Sequence, residues 1–195
     1  MNAPLPQDSV PQPFSSRWSP YAYTPRTVEK EKIEACFDAA RWAPSSYNEQ
    51  PWRFLIAFRE QEAEFQRMLG CLNAPNQEWA KHAGVLILTA IHTRFDRNGS
   101  ANRVALHDLG AAAGYFALQA AKEGLQAHQM AGVELEKIRT TYSLPEGYQP
   151  QTAIAVGYVD TQSTHSDLAT RDQNPRTRKA FSEFVFSETW GKAGL

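Results

Sequence analysis

From Gly84 to Ile91 the chain reads Gly-Val-Leu-Ile-Leu-Thr-Ala-Ile, an apolar run with no wet face. A strand with one side in water alternates apolar and polar residues, whereas this one must be covered on both faces. It is far short of the roughly 20 residues that cross a bilayer. A fold built around it therefore needs helices on both sides of a sheet. The rest of the sequence supplies them. Residues 28–42 carry Ile33, Cys36, Phe37 and Ala40 at helical spacing, and residues 60–69 turn Phe65, Met68 and Leu69 inward before Gly70 as a C-cap. Residues 104–123 form the longest predicted helix, closed by Gly124 in the left-handed position, and residues 133–142 form another. Trp52–Phe58 and residues 151–159 read as further strands, and residues 181–186 as a short helix or strand. The expected fold class is α+β, a mixed α/β sandwich with few strands.

The 195 residues suit one domain, expected over 14–195, that buries about 70% of the surface its unfolded chain exposes. Residues 1–13 carry four prolines and read as an extended tail that packs on a partner chain. A formal net charge of −1 provides no electrostatic footprint for nucleic acid or an anionic membrane. The first residues lack the basic and apolar regions of a signal peptide. Cys36 and Cys71 share no metal-ligand or redox spacing, and Cys36 falls on the apolar side of its helix as an inert thiol. The expected location is the cytoplasm. The five histidines, His82, His92, His107, His128 and His165, are scattered without His-x-His or Glu-x-x-His spacing, so no metal site is expected.

The chemistry concentrates in Arg41-Trp42-Ala43-Pro44-Ser45-Ser46-Tyr47-Asn48-Glu49-Gln50-Pro51-Trp52, between the first helix and first strand. Pro44 fixes one φ angle and turns Ala43 away from the α region. Serine, asparagine and glutamine then offer donors and acceptors suited to the edge of a flat heterocycle. A polar turn that binds nothing has the same composition. Neither serine sits in a Gly-x-Ser-x-Gly elbow, and no Gly-x-Gly-x-x-Gly or Walker loop occurs, so acyl transfer and a separate dinucleotide fold are not expected. In the long helix, Gly110-Ala111-Ala112-Ala113-Gly114 is nearly free of side-chain bulk, which suits close packing within the subunit or against a second copy.

The string Ala40 to Phe54, with its Ala-Pro-Ser, Asn and Gln-Pro-Trp, resembles the signature of the FMN-dependent nitroreductase family. Three more segments resemble it in order. Ser16-Arg17-Trp18-Ser19-Pro20-Tyr21 is similar to the family's phosphate and ribityl segment. Residues 153–158 are similar to its last core strand, and Pro175-Arg176-Thr177-Arg178-Lys179 with Trp190-Gly191 to its C-terminal basic segment. The resemblance implies an intertwined homodimer with FMN between subunits and the long helix at the contact. It implies Arg17, Trp18, Ser19, Arg176 and Arg178 at the phosphate and ribityl end, and Pro44, Ser45, Ser46, Asn48 and Gln50 along the ring. Gln129-Met130-Ala131-Gly132 matches more loosely the loop that faces flavin N5, which brings in Ala131 and Gly132. Tyr21 stands where the family often has a second arginine, shifting that demand to Arg176 and Arg178.

The activity so implied is NAD(P)H oxidation through FMN in a ping-pong cycle, with a nitroaromatic, quinone or similar small acceptor and no catalytic side chain of the protein's own. An FMN-dependent dehydrogenase, a flavin-modifying relative and a non-catalytic flavin-binding dimer are the alternatives. Residues 70–83 and 91–103 are expected to line the open side of the pocket, where Trp79, Phe95 and Arg94 suit either stacking on and steering an acceptor or, equally, packing and surface positions.

Overall fold

A computed structural model describes residues 10–162 and 166–195; the start of the tail (1–9) and His165 lie outside the described residues. The order is α1 (Lys30–Ala40), β1 (Trp52–Phe58), α2 (Glu62–Leu69), α3 (Ala74–Ala80), β2 (Val85–His92), α4 (Ala105–Lys122), β3 (Gln126–Met130), α5 (Leu135–Thr141), β4 (Tyr148–Gly157) and α6 (Ser166–Asp172). The strands form one sheet in the order β1-β2-β4-β3, every neighbouring pair antiparallel.

The apolar run is β2, an inner strand buried from Val85 to Ile91. Its side chains divide by the two-residue period of a strand. Val85, Ile87 and Ile91 face α1 and α4 in a core with Cys36, Leu109 and Phe116. Leu86 and Leu88 join Phe65, Met68, Trp79 and Ile138 in the core on the other face, under α2, α3 and α5. The one polar residue of the run, Thr89, sits where the β2–β4 register slips between Leu88 and Ala90. Its hydroxyl lies 2.7 Å from the Thr152 hydroxyl and accepts from the Thr152 N–H at 3.1 Å, so the irregular step leaves that buried amide satisfied.

The first helix is shorter than the sequence indicates and ends at Ala40. Gly70 caps α2 in a right-handed conformation (φ −60°), whereas Gly124 takes the expected left-handed one (φ +78°). Three elements escaped the sequence reading. α3 begins at Ala74 with Pro75 in its first turn and Asn73 as its cap, and its seven residues carry too little periodicity to register. β3, Gln-Ala-His-Gln-Met, has no β-branched residue, and α6 is a short polar helix. Residues 181–186 resolve into a single 3₁₀ turn, Phe181–Glu183, before a bridge from Phe186 to Ala193.

Cys36 and Cys71 are free and buried, and burial pushes the Cys36 thiol up to about 12. Among the described residues, no helix is long and apolar enough to cross a membrane.

Candidate functional site

Residues 16–22 lie along the outer side of β3, and their backbone is held nearly residue by residue. The Gln126 side chain accepts from the Trp18 N–H (2.9 Å) and donates to the Ser16 carbonyl (3.1 Å). His128 Nδ1 contacts the Pro20 carbonyl at 2.8 Å. The Asp172 carboxylate accepts from the N–H groups of Tyr21 (2.8 Å) and Ala22 (3.0 Å). The segment cannot shift without breaking several of these bonds at once.

Such a backbone fixes what its side chains do. Arg17, Ser19, Arg176 and Arg178 come together around a depression of about 220 Å³ that Trp18, Tyr21, Arg171, Asp172 and Asn174 also line. Arg176 donates to the carbonyls of Arg17 and Ser15, both at 3.0 Å, which ties the C-terminal basic segment to the early one. Arg17 reaches Ser19 Oγ at 3.4 Å. Burial, then the fields of Arg178 and Arg176, push Arg17 below the ordinary arginine range. Like charges converging without enough counter-charge make a site suited to an anion with several oxygens.

His128 serves this edge as a neutral ring. Burial pushes its imidazole down from the ordinary value of 6.5, outweighing the bond to Pro20. Its ring stacks on Trp79 at 4.4 Å. A histidine depressed in the folded state stabilises fully above its unfolded pKa, and that contribution is lost as pH falls through the folded one. Urea unfolding at about pH 7 and about pH 5 should show a smaller loss of stability on acidification for His128→Asn than for wild type. An equal loss in both proteins would rule His128 out as the cause.

The polar loop is built separately. Ser45 Oγ accepts from the Gln50 N–H at 3.0 Å, and the Gln50 amide donates to Asn48 Oδ1 at 3.2 Å. The Ser46 N–H donates to Oδ2 of Asp108 at 3.1 Å. Asp108, buried in the first turn of α4, is a positioning residue that the sequence reading missed. Its only advance signal was an acid on the apolar side of a helix. Tyr47, Asn48 and Gln50 all have φ between 49° and 56°, the left-handed region that costs a non-glycine residue roughly 1–2 kcal/mol. Local strain of this kind concentrates at functional sites. Pro44 begins the loop, exposed.

These two groups do not meet within one chain. The loop enters the sheet at Trp52 on edge strand β1, and the arginine segment is tied to Gln126 on the opposite edge strand β3. Trp52 is level with Ile91 and Gln149, whereas Gln126 pairs with Gly157 at the other end of β4. Three strand spacings of about 4.8 Å and eight residue rises of about 3.3 Å put Trp52 and Gln126 roughly 25–30 Å apart. From Asp108 to its end at Lys122, α4 runs roughly 21 Å toward Gln126.

Ala131 and Gly132 follow the far end of β3. Gly132 is held by α3: its carbonyl accepts from the Asn73 N–H and the Asn76 amide, both at 3.0 Å. A Cβ there would lie 2.4 Å from Asn76 Nδ2 and 2.5 Å from Asn73 Nδ2, so a larger residue would displace both asparagine side chains.

On the acceptor side, the packing alternative describes Trp79 and Phe95. Trp79 is 1% exposed, in the core beneath the arginine edge, and donates to Asn76 Oδ1. It grips the fold because the unforeseen helix α3 packs it inward. Phe95 is also buried and meets the edge of Tyr47 with centroids 5.8 Å apart, while Arg94 donates to the Gly99 carbonyl. Tyr47 and Arg97 are also exposed beside the loop, the guanidinium 3.9 Å from the Tyr47 ring centroid. Among the described residues, Glu49, His92 and Asp96 offer ligand atoms within 4.8 Å of one another. They also bond locally: the Asp96 N–H donates to Glu49, and His92 Nδ1 lies 3.2 Å from the Asp96 carboxylate.

Comparison with known proteins follows the same segments. The model of the nitroreductase family matches residues 14–158. An uncharacterized 15.4 kDa protein of Mycolicibacterium smegmatis is 32% identical over 128 residues, covering 65% of this chain and 84% of that protein. A protein of Ralstonia nicotianae, provisionally named an NADH dehydrogenase/NAD(P)H nitroreductase, is 26% identical over 168 residues, covering 76% and 82%. A crystal structure described as an oxidoreductase containing FMN superposes with a TM-score of 0.86 at 30% identity, covering 97% of this chain and 95% of the other. With the family model covering most of the chain and the fold shared almost end to end, the protein belongs to the nitroreductase family.

Proposed function

We propose that this chain is an FMN-dependent NAD(P)H oxidoreductase that works as a homodimer, each flavin bound between two copies. The observation that carries the reading is the convergence of Arg17, Arg176 and Arg178 with Ser19 around one depression. A flavin phosphate, with nearly two negative charges and three acceptor oxygens, supplies the counter-charge this cluster lacks. The donor set therefore fits the group.

A ribityl phosphate of seven bonds spans roughly 10 Å at about 1.5 Å per bond, less than half the distance between the arginine edge and the loop. The loop that meets the ring is therefore the one on the second copy. There Pro44, Ser45 and Ser46 flank the ring, and Asn48 and Gln50 offer amide donors toward its pyrimidine side, where the reduced form gathers charge. Trp18 closes the ribityl end, and Ala131 with Gly132 presents backbone on the N5 side. Bound FMN supplies the two-electron chemistry, taking hydride from NAD(P)H and passing it in a ping-pong cycle to a nitroaromatic, quinone or similar small acceptor. The side chains position, exclude water and tune the field. Residues 14–195 act as one domain, in the cytoplasm.

The dimer reading draws on α4. Outside the helix's own backbone, a Cβ on Gly110 or Gly114 would meet nothing within 4 Å among the described residues, so neither glycine serves close packing among them. Beside them Leu106 and Tyr115 stand exposed. This face suits close approach by a second copy.

The test is the visible spectrum of the purified protein, recorded anaerobically before and after NADH or NADPH. The expected result is a yellow protein whose flavin bands bleach with at least one nucleotide. A colourless protein that neither takes up added FMN nor oxidises either nucleotide would overturn the reading. A flavin that stays oxidised with both would leave a binding protein without this activity.

A further inference from the structure

We propose that Arg171, on the last turn of α6, is a phosphate-binding residue of the flavin site, held in place by Tyr21. This rests on the phosphate position proposed above. Tyr21 takes up a place in the early segment without bringing a charge. Its ring serves instead as a platform, with the Arg171 guanidinium carbon 3.9 Å from its centroid. Both residues line the depression of Arg17, Ser19, Arg176 and Arg178.

Two features make the arrangement specific. The Tyr21 ring is itself wedged, edge-on to Trp79 at 5.1 Å and to His128 at 4.8 Å, so the guanidinium rests on a fixed surface. Next along the chain, Asp172 spends both carboxylate oxygens on the N–H groups of Tyr21 and Ala22. That clamp anchors the end of α6 beside the early segment. It also engages the only carboxylate among the lining residues, leaving four guanidinium groups to face an incoming dianion. An arginine from a different element thus replaces the one the early segment lacks.

Flavin affinity, read by fluorescence quenching with FMN and with riboflavin, tests the assignment because riboflavin has no phosphate. Arg171→Ala should weaken FMN binding about tenfold, the scale of one charge-assisted hydrogen bond, and leave riboflavin unchanged. Tyr21→Leu, which removes the platform and keeps Arg171, should reproduce part of that loss, and Arg171→Lys should rescue less than half of it. Circular dichroism of each variant controls for folding. FMN affinity equal to wild type in Arg171→Ala would overturn the proposal, as would an equal loss for FMN and riboflavin. If wild type does not prefer FMN to riboflavin, and Arg17→Ala changes neither affinity, the phosphate position itself fails, a separate outcome.

Discussion

A chain carrying Arg17→Ala with Arg178→Ala, and a second carrying Asn48→Asp with Gln50→Glu, should each lose FMN alone and recover it when their subunits are exchanged. The first pair removes two of the guanidinium groups proposed to hold the phosphate, each worth roughly 1.5–3 kcal/mol, and so about 10²–10⁴ in affinity. The second pair keeps side-chain shape but places carboxylates where the ring edge gathers negative charge. Asparagine and aspartate both tolerate the left-handed backbone at position 48, where φ is 56°, so the backbone there is kept although the Gln50–Asn48 bond is lost. In a mixed dimer of two-fold symmetry, one site inherits both lesions and the other inherits neither. Random exchange should therefore restore about a quarter of all sites at wild-type affinity. Equilibrium dialysis against FMN after co-refolding gives the number. A mixture that binds no more than its parents would place both halves of the site in one chain, against the separation across the sheet.

Replacing Trp79 with alanine should be the most destabilising single change near the site. The indole is 1% exposed, stacks on His128, meets Tyr21 edge-on and donates to Asn76 Oδ1. Deleting a buried ring of this size costs roughly 3–5 kcal/mol, because the surroundings collapse only partly into the cavity. For a chain of this length that lowers Tm by on the order of 10 °C. The variant should also bind FMN less tightly, since the Tyr21 ring loses its backing. A thermal scan within about 2 °C of wild type would show that the site relaxes at little cost, contrary to the close packing here.

The sheet's centre was legible in the sequence because burial on both faces leaves a mark that few other structures produce. Val85–Ile91 and the inward faces of α1 and α2 are read from it directly. Edges were harder to see. β3 is stabilised by what lies against it, Gln126 on Ser16 and Trp18, and His128 on Pro20, and none of those long-range bonds leaves a periodic trace. For the site, the motif residues of the early and late basic segments could be named one by one, and the structure brings Arg17, Ser19, Arg176 and Arg178 to one place. Arg171, Asp172 and Asp108 could not be named, because each acts through a contact with a residue distant in sequence. Trp79 was open to two readings: an aromatic in a polar stretch suits a ligand platform or the core, and only the helix that carries it inward decides.

Gly110 and Gly114 carry a consequence for how this protein is built. In a helix interior two glycines in place of alanines lower stability by about 2 kcal/mol, and among the described residues of one chain nothing fills the room they leave. A solitary copy therefore bears a deficit that belongs to no contact of its own. If a second helix settles into that space, folding and association become one equilibrium, and the melting temperature rises with protein concentration. The stable unit of inheritance is then the pair: a substitution on this face is felt twice in every molecule, once from each side of the symmetry axis.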